Sequence, residues 1–158
     1  MDTPGFKTIL CPVDFGELSA HALQHANLLA GCGNAKVIAV YANWVEAPAY
    51  FTAGRVDELQ KQFREAFGEA ERSLKAFVDS TLGESGDKVE TRVVEALPAD
   101  AIRELAASSG ADLIVMGTHG RSGLNRWMLG SVTERILRRA RCRFLRFAPL
   151  RKGLFGAF

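Results

Sequence analysis

Three cysteines stand in 158 residues, an odd number, and no two of them form a C-x-x-C pair. That argues against a disulfide framework and against a structural zinc site. Histidine is as scarce. His21 and His25 lie one helical turn apart with no acidic or cysteine companion, and they read as a solvated helix edge rather than a metal pair. No apolar run approaches the roughly 18 residues that a membrane span requires. The opening MDTPGFKTIL lacks the basic start and long apolar stretch of a secretory signal, so a cytoplasmic location is expected.

Hydrophobic residues make up 47% of the chain and charged residues 24%, the balance of a globular protein whose length suits one domain. We place that domain at residues 1–150, followed by a short apolar tail, RKGLFGAF, at 151–158. The net charge of +2 hides an asymmetry. Between Arg126 and Lys152 nine basic residues face Glu134 alone, a surplus of eight, so the rest of the chain is net negative by six. Such a basic end attracts phosphates, nucleic acid or an acidic partner, or it is a solvated helix face followed by an arginine-rich edge strand.

Periodicity divides the chain into alternating elements. Phe6–Asp14 is an apolar run stopped by Pro12 and Asp14, a strand. LSAHALQHANLLAGCG follows as a helix, with Ala22, Ala26, Leu29 and Ala30 on one stripe and Gly31 and Gly33 as its stop. Ala35–Asn43 is a second buried strand. WVEAPAYFTAGR reads as a loop. Its Trp44, Tyr50 and Phe51 would pack against the next helix or form a lid. That helix carries Val56, Leu59, Phe63, Phe67, Ala70, Leu74, Phe77 and Val78 at helical spacing and ends at Gly83 and Gly86. DKVETRVVEA is a third strand, and PADAIRELAASSG a helix started by Pro98 and ended by Gly110. ADLIVMG is a fourth strand, central by its unbroken apolar run. SVTERILRRA and RFLRFA complete a β-α-β-α-β-α-β-α-β order. Strands apolar on both sides in this alternation argue an α/β protein, a parallel sheet covered by helices on both faces. Ligands of such sheets bind outside the strand carboxyl ends, where strand order reverses.

One of those ends is rich in glycine. Gly117 follows the fourth strand, Gly120, Gly123 and Gly130 come after it, and Ser131 opens the last helix. Ser131 and Glu134 have capping-box spacing. A helix N-terminus offers unpaired N–H donors and a partial positive charge, and glycines let further backbone donors close on the same anion. Strand, glycine loop and helix therefore make a phosphate site, although each glycine alone could serve only a tight turn. The Walker pattern G-x-x-x-x-G-K-[ST] is absent, as is G-x-G-x-x-G, and this loop follows strand four rather than strand one.

The spacing that is present, Gly117-x2-Gly120-x9-Gly130-Ser131, resembles that of the universal stress protein family, in the subclass whose G-x2-G-x9-G-[ST] signature binds ATP. The likeness runs from about Phe6 to Ala148 and includes ILCPVDF, ADLIVMG and HGRSGLNRWMLGSV. It implies a single doubly wound five-stranded sheet of order 3-2-1-4-5, of the adenine-nucleotide α-hydrolase type, and a homodimer formed through the last strand. It also implies a nucleotide, ATP with or without Mg2+, at the carboxyl ends of strands one and four. Backbone groups at Pro12, Val13 and Ala42 would frame the adenine, and Asp14 would accept a bond from a ribose hydroxyl. Gly117, Gly120, Gly130 and the N–H groups of Ser131 and Val132 would cradle the phosphates, with the Ser131 hydroxyl on an outer one. Met116, Thr118, Ser122, Gly123 and Thr133 complete the implied site, and His119 and Arg121 would add charge beside the phosphates. Read as residues alone, Arg121 is equally a solvated loop arginine, and Asp14 is also a turn residue or helix cap before GELS.

The last strand departs from the family pattern. Cys142 is followed by Arg143 where Cys-Pro and aliphatics are usual, and Arg146 lies inside RFLRF. Arginine in an edge strand discourages edge pairing.

The chain shows no paired carboxylates for a metal, no base for water and no activated nucleophile. The expectation is a regulatory, ATP-binding stress-response protein rather than an enzyme, with at most slow ATP hydrolysis. The alternatives are an adenylyl-transfer enzyme, disfavoured because CPVDFGELS replaces a glycine motif after strand one, and a nucleotide-independent binder of a protein or nucleic acid through the arginine-rich last helix and strand.

Overall fold

A computed structural model describes residues 5–44, 56–118, 131–139 and 142–147. Five strands alternate with helices: β1 Thr8–Pro12, α1 Glu17–Gly33, β2 Lys36–Ala42, α2 Val56–Leu82, β3 Val89–Val94, α3 Pro98–Ser108, β4 Leu113–Gly117, α4 Ser131–Arg139 and β5 Arg143–Phe147. A short 3-10 segment, Gly83–Lys88, joins α2 to β3. All strand pairings are parallel and the order is β3-β2-β1-β4-β5. The expected order is thus observed, with β1 in the middle and β4 flanked by β1 and β5.

Alternation along each strand sends side chains to two separate cores. Ile9, Cys11, Val37, Ala39, Leu113 and Val115 pack with Ala22, Leu23 and Ala26 of α1 and Leu74 and Val78 of α2. Leu10, Ile38, Val40, Ile114 and Met116 pack with Ile102 and Ala106 of α3 and Ile136 of α4. Both sheet faces are covered, which explains why the strands read as unbroken apolar runs. Asp112 ties the amino ends of three strands together. Its carboxylate accepts the N–H groups of Lys7 (2.8 Å) and Thr8 (3.3 Å), and its carbonyl accepts that of Arg143 (3.2 Å).

Two local expectations are corrected. Helix α1 runs through Gly31 and Gly33 and stops at Asn34, whose φ of 53° is left-handed and whose N–H bonds the Ala30 carbonyl. Asparagine tolerates that conformation, so the glycines are not needed as the stop. The apolar stripe of α2 also does not lie wholly on the core. Ala70, Leu74 and Val78 are buried, but Leu59, Phe63 and Phe67 are only half-buried and Val56 is exposed. A helix of 27 residues is about 40 Å long, roughly twice the length of these strands, so one half overshoots the sheet.

The cysteines are free, with Cys11 buried, Cys32 exposed and Cys142 half-buried. Burial pushes the Cys11 thiol up to about 12, which leaves it unreactive. Among the described residues no helix is long and apolar enough to cross a membrane.

Candidate functional site

Strand order reverses between β1 and β4, so the crevice above their carboxyl ends is where this architecture takes a ligand. Pro12 and Val13 are buried there, and the Val13 N–H continues the ladder to the Val40 carbonyl (2.8 Å). Asp14 comes next and leaves the sheet. Its Oδ1 accepts the N–H of Gly16 at 2.9 Å and the hydroxyl of Ser19, while its own N–H is accepted by the Ser19 Oγ at 3.0 Å. The turn reading of Asp14 is therefore realised. Oδ2 makes no hydrogen bond among the described residues, which leaves the ribose reading chemically open.

Gly16, Phe15 and Ser19 were not singled out by sequence, yet they hold this turn. A Cβ at Gly16 would lie 3.0 Å from Asp14 Oδ1, so the carboxylate would have to shift by a few tenths of an ångström to keep its bond to the residue 16 N–H. Phe15 has a φ of 63°, a left-handed conformation that costs a bulky residue energy. Its ring offsets that cost by packing on Tyr41 (centroids 4.6 Å) and Phe77 (5.6 Å). The D-x-G of an Asx turn was the one available signal.

On the β4 side, Met116 and Thr118 are buried and Gly117 ends the strand. The Thr133 hydroxyl donates to the Gly117 carbonyl at 3.4 Å, linking the first turn of α4 to the end of β4. Val132 is half-buried beside the α3–α4 core. The two halves of the implied site, residues 12–14 and 116–118 with 131–133, are thus placed at neighbouring strand ends. His119, Gly120, Arg121, Ser122, Gly123 and Gly130 lie outside the described residues, as do the Ser131 side chain, Tyr50, Phe51 and the tail at 151–158. The Glu134 carboxylate, expected to reach back in a capping box, instead accepts from Arg138 at 2.7 Å. A charged partner one turn ahead outcompetes a backbone N–H one turn behind.

At the end of β2, Ala42 is half-buried, and the N–H of Asn43 bonds the Val94 carbonyl at 2.8 Å. The side-chain Nδ2 of Asn43 is shut off from solvent and has no hydrogen-bond partner among the described residues. Trp44 is exposed.

The chain is thus an α/β protein with a doubly wound parallel sheet, the architecture whose ligands bind outside the strand carboxyl ends, and Asp14, Asn43 and the amino end of α4 lie at that end. Comparison with known proteins narrows this. Residues 5–146 match the model of the universal stress protein family, and the chain belongs to that family. It is 38% identical over 141 residues to universal stress protein MJ0531 of Methanocaldococcus jannaschii, covering 87% of this chain and 79% of that one. Universal stress protein UspA from Lactobacillus plantarum superposes with a TM-score of 0.72 at 23% identity, over 89% of this chain and 96% of the other. A universal stress protein solved in complex with cAMP superposes with a TM-score of 0.62 at 26% identity, over 90% and 97% of the two chains.

Proposed function

We propose that this chain binds an adenine nucleotide, ATP in the first instance, across the carboxyl ends of β1 and β4, and that the bound nucleotide acts as a switch for a protein partner. The observation that carries this reading is the placement of a carboxylate oxygen with no hydrogen-bond partner among the described residues, Asp14 Oδ2, beside a helix amino end that follows the adjacent strand. A carboxylate suits a ribose hydroxyl, and the N–H groups at 131–133 suit a phosphate. The family relative bound to cAMP supports an adenine nucleotide as the ligand class. The proposed phosphate cradle extends through Gly117, Gly120 and Gly130, with His119 and Arg121 beside it and Mg2+ bridging phosphates if it takes part. In this reading the protein binds rather than turns over its ligand, and it shifts a partner's equilibrium only by the nucleotide's differential affinity for two states.

The alternative, a partner or nucleic acid held by the arginine-rich end without nucleotide, has one observation behind it. A groove of about 340 Å3 between α3 and α4 is lined by Arg103, Arg135 and Arg138. Arg103 is paired with Asp100 and Arg138 with Glu134, which leaves Arg135 as the groove's one cation without an ion pair among the described residues. The nucleotide reading is preferred.

The test is direct. The purified protein is denatured, any released nucleotide is identified by chromatography, and the stripped protein is titrated with ATP and Mg2+ by calorimetry. Saturable ATP binding is expected, and Gly120→Val, which puts bulk into the cradle, should weaken it roughly tenfold or more, about 1.4 kcal/mol. Unchanged affinity in that variant would refute the assigned cradle.

A further inference from the structure

Three polar side chains are buried among the described residues, Ser19, Thr118 and Thr133, and all three stand at the carboxyl end of the sheet. Burying a hydroxyl costs free energy unless it is hydrogen-bonded. Two of the three occupy equivalent places. Ser19 is the third residue of α1 and reaches back to the chain leaving β1. Its hydroxyl donates to Asp14 Oδ1, and its oxygen accepts the Asp14 N–H at 3.0 Å. Thr133 is the third residue of α4 and reaches back to the end of β4, donating to the Gly117 carbonyl at 3.4 Å. Strands β1 and β4 are the neighbours between which strand order reverses. The helices that follow them are thus each latched to their own strand by a hydroxyl of the first turn.

Neither side chain offers a ligand much surface, since Ser19 is 4% exposed and Thr133 2%. What they control is the groups in front of them. Asp14 Oδ1 is held by Ser19 and by the Gly16 N–H at 2.9 Å, which fixes the rotation of the carboxylate and turns Oδ2 to other uses. The Thr133 bond ties Gly117, the first glycine of the signature, to the helix turn that carries the N–H groups of 131–133. Groups fixed before a ligand arrives lose less freedom when it binds.

We propose that Ser19 and Thr133 are positioning residues, one aiming the Asp14 carboxylate at the ribose and the other setting the amino end of α4 against the phosphates. The inference rests on the nucleotide reading above and adds to it two residues that act through others. Each latch serves a different part of the ligand, so the losses on removing them should separate. A residue serving only the fold would weaken every part alike.

The experiment titrates stripped wild type and variants with ATP, then measures displacement of ATP by adenosine and by inorganic triphosphate. Ser19→Ala should weaken ATP and adenosine alike, about three- to tenfold, and leave triphosphate unchanged. Thr133→Val, close in shape but without the hydroxyl, should weaken ATP and triphosphate by a similar factor and leave adenosine unchanged. Ser19→Thr and Thr133→Ser keep the hydroxyl and should bind all three ligands as wild type does. A hydroxyl-free variant whose affinities for all three ligands fall together, or do not fall, would overturn its assignment. So would a hydroxyl-keeping variant that binds no better than its hydroxyl-free counterpart, or a hydroxyl-free variant that does not melt cooperatively, since its latch would then serve the fold. Wild type that binds ATP but yields it to neither fragment would also overturn the proposal. A wild-type chain that does not bind ATP would instead sink the nucleotide reading on which it stands.

Discussion

Asp14 shows how far a single residue can be read. Its place after an apolar strand and before GELS suggested either a ribose ligand or a turn residue, and the structure assigns one oxygen to the turn while the other has no partner among the described residues. Ser19 and Gly16, which hold that oxygen, were not legible, because their contacts depend on the path of the turn rather than on any period. Asn43 stood at a strand end that the sequence marked, but the state of its amide was not legible, because whether a side-chain amide is paired depends on what the fold brings around it. Glu90 gives a prediction at the same scale. Its carboxylate is bonded first by Lys36 and then by Arg92, and these hold it below the usual carboxylate range. The stabilisation is fully present above the ordinary carboxylate pKa and is lost as pH falls through the depressed one. Thermal melts of wild type and Glu90→Gln should therefore differ most near neutral pH and converge on acidification. A difference that grows toward acid would contradict the assigned ion pairs.

At the scale of elements, helical spacing, apolar runs and proline and glycine boundaries together located the described helices and strands. What periodicity does not carry is where a helix leaves its sheet. The stripe from Val56 to Val78 is continuous in sequence, yet only the part from Ala70 onward reaches the core. Leu74→Ala, at a fully buried site, should cost about 2–5 kcal/mol. Leu59→Ala, on the overshooting half, should cost less than about 1 kcal/mol. Denaturant titrations of the two variants would check the contrast, and equal losses would mean that the amino half of α2 is covered by something in solution. The end of α1 falls at Gly33 as read, but the residue that stops it differs: asparagine takes the left-handed position that glycine usually fills.

At the scale of the molecule, the α/β alternation was legible from the residues, while the strand order came through the family resemblance, since local pattern does not say which strands are neighbours. The structure shows both. The β5 edge bears on assembly. Arg143 and Arg146 are exposed along it, with the Arg143 guanidinium 5.7 Å from the Phe6 ring centroid, and Leu145 is exposed between them. If two copies pair through this edge, as family resemblance implies, like charges are brought together. Raising salt from about 0.1 M to about 1 M shortens the screening length from about 10 Å to about 3 Å. Sedimentation equilibrium should therefore show the dimer fraction rising with salt. A dimer that weakens with salt would place the interface elsewhere.

Phe15 couples parts of the chain far apart in sequence. Its left-handed backbone is held by rings from β2 and α2, and the same residue fixes the direction in which the chain leaves β1. The amides of that turn therefore share their protection with α2. Their protons should exchange with solvent through release of the helix rather than through fraying of the turn alone, so the crevice and α2 form one cooperative unit.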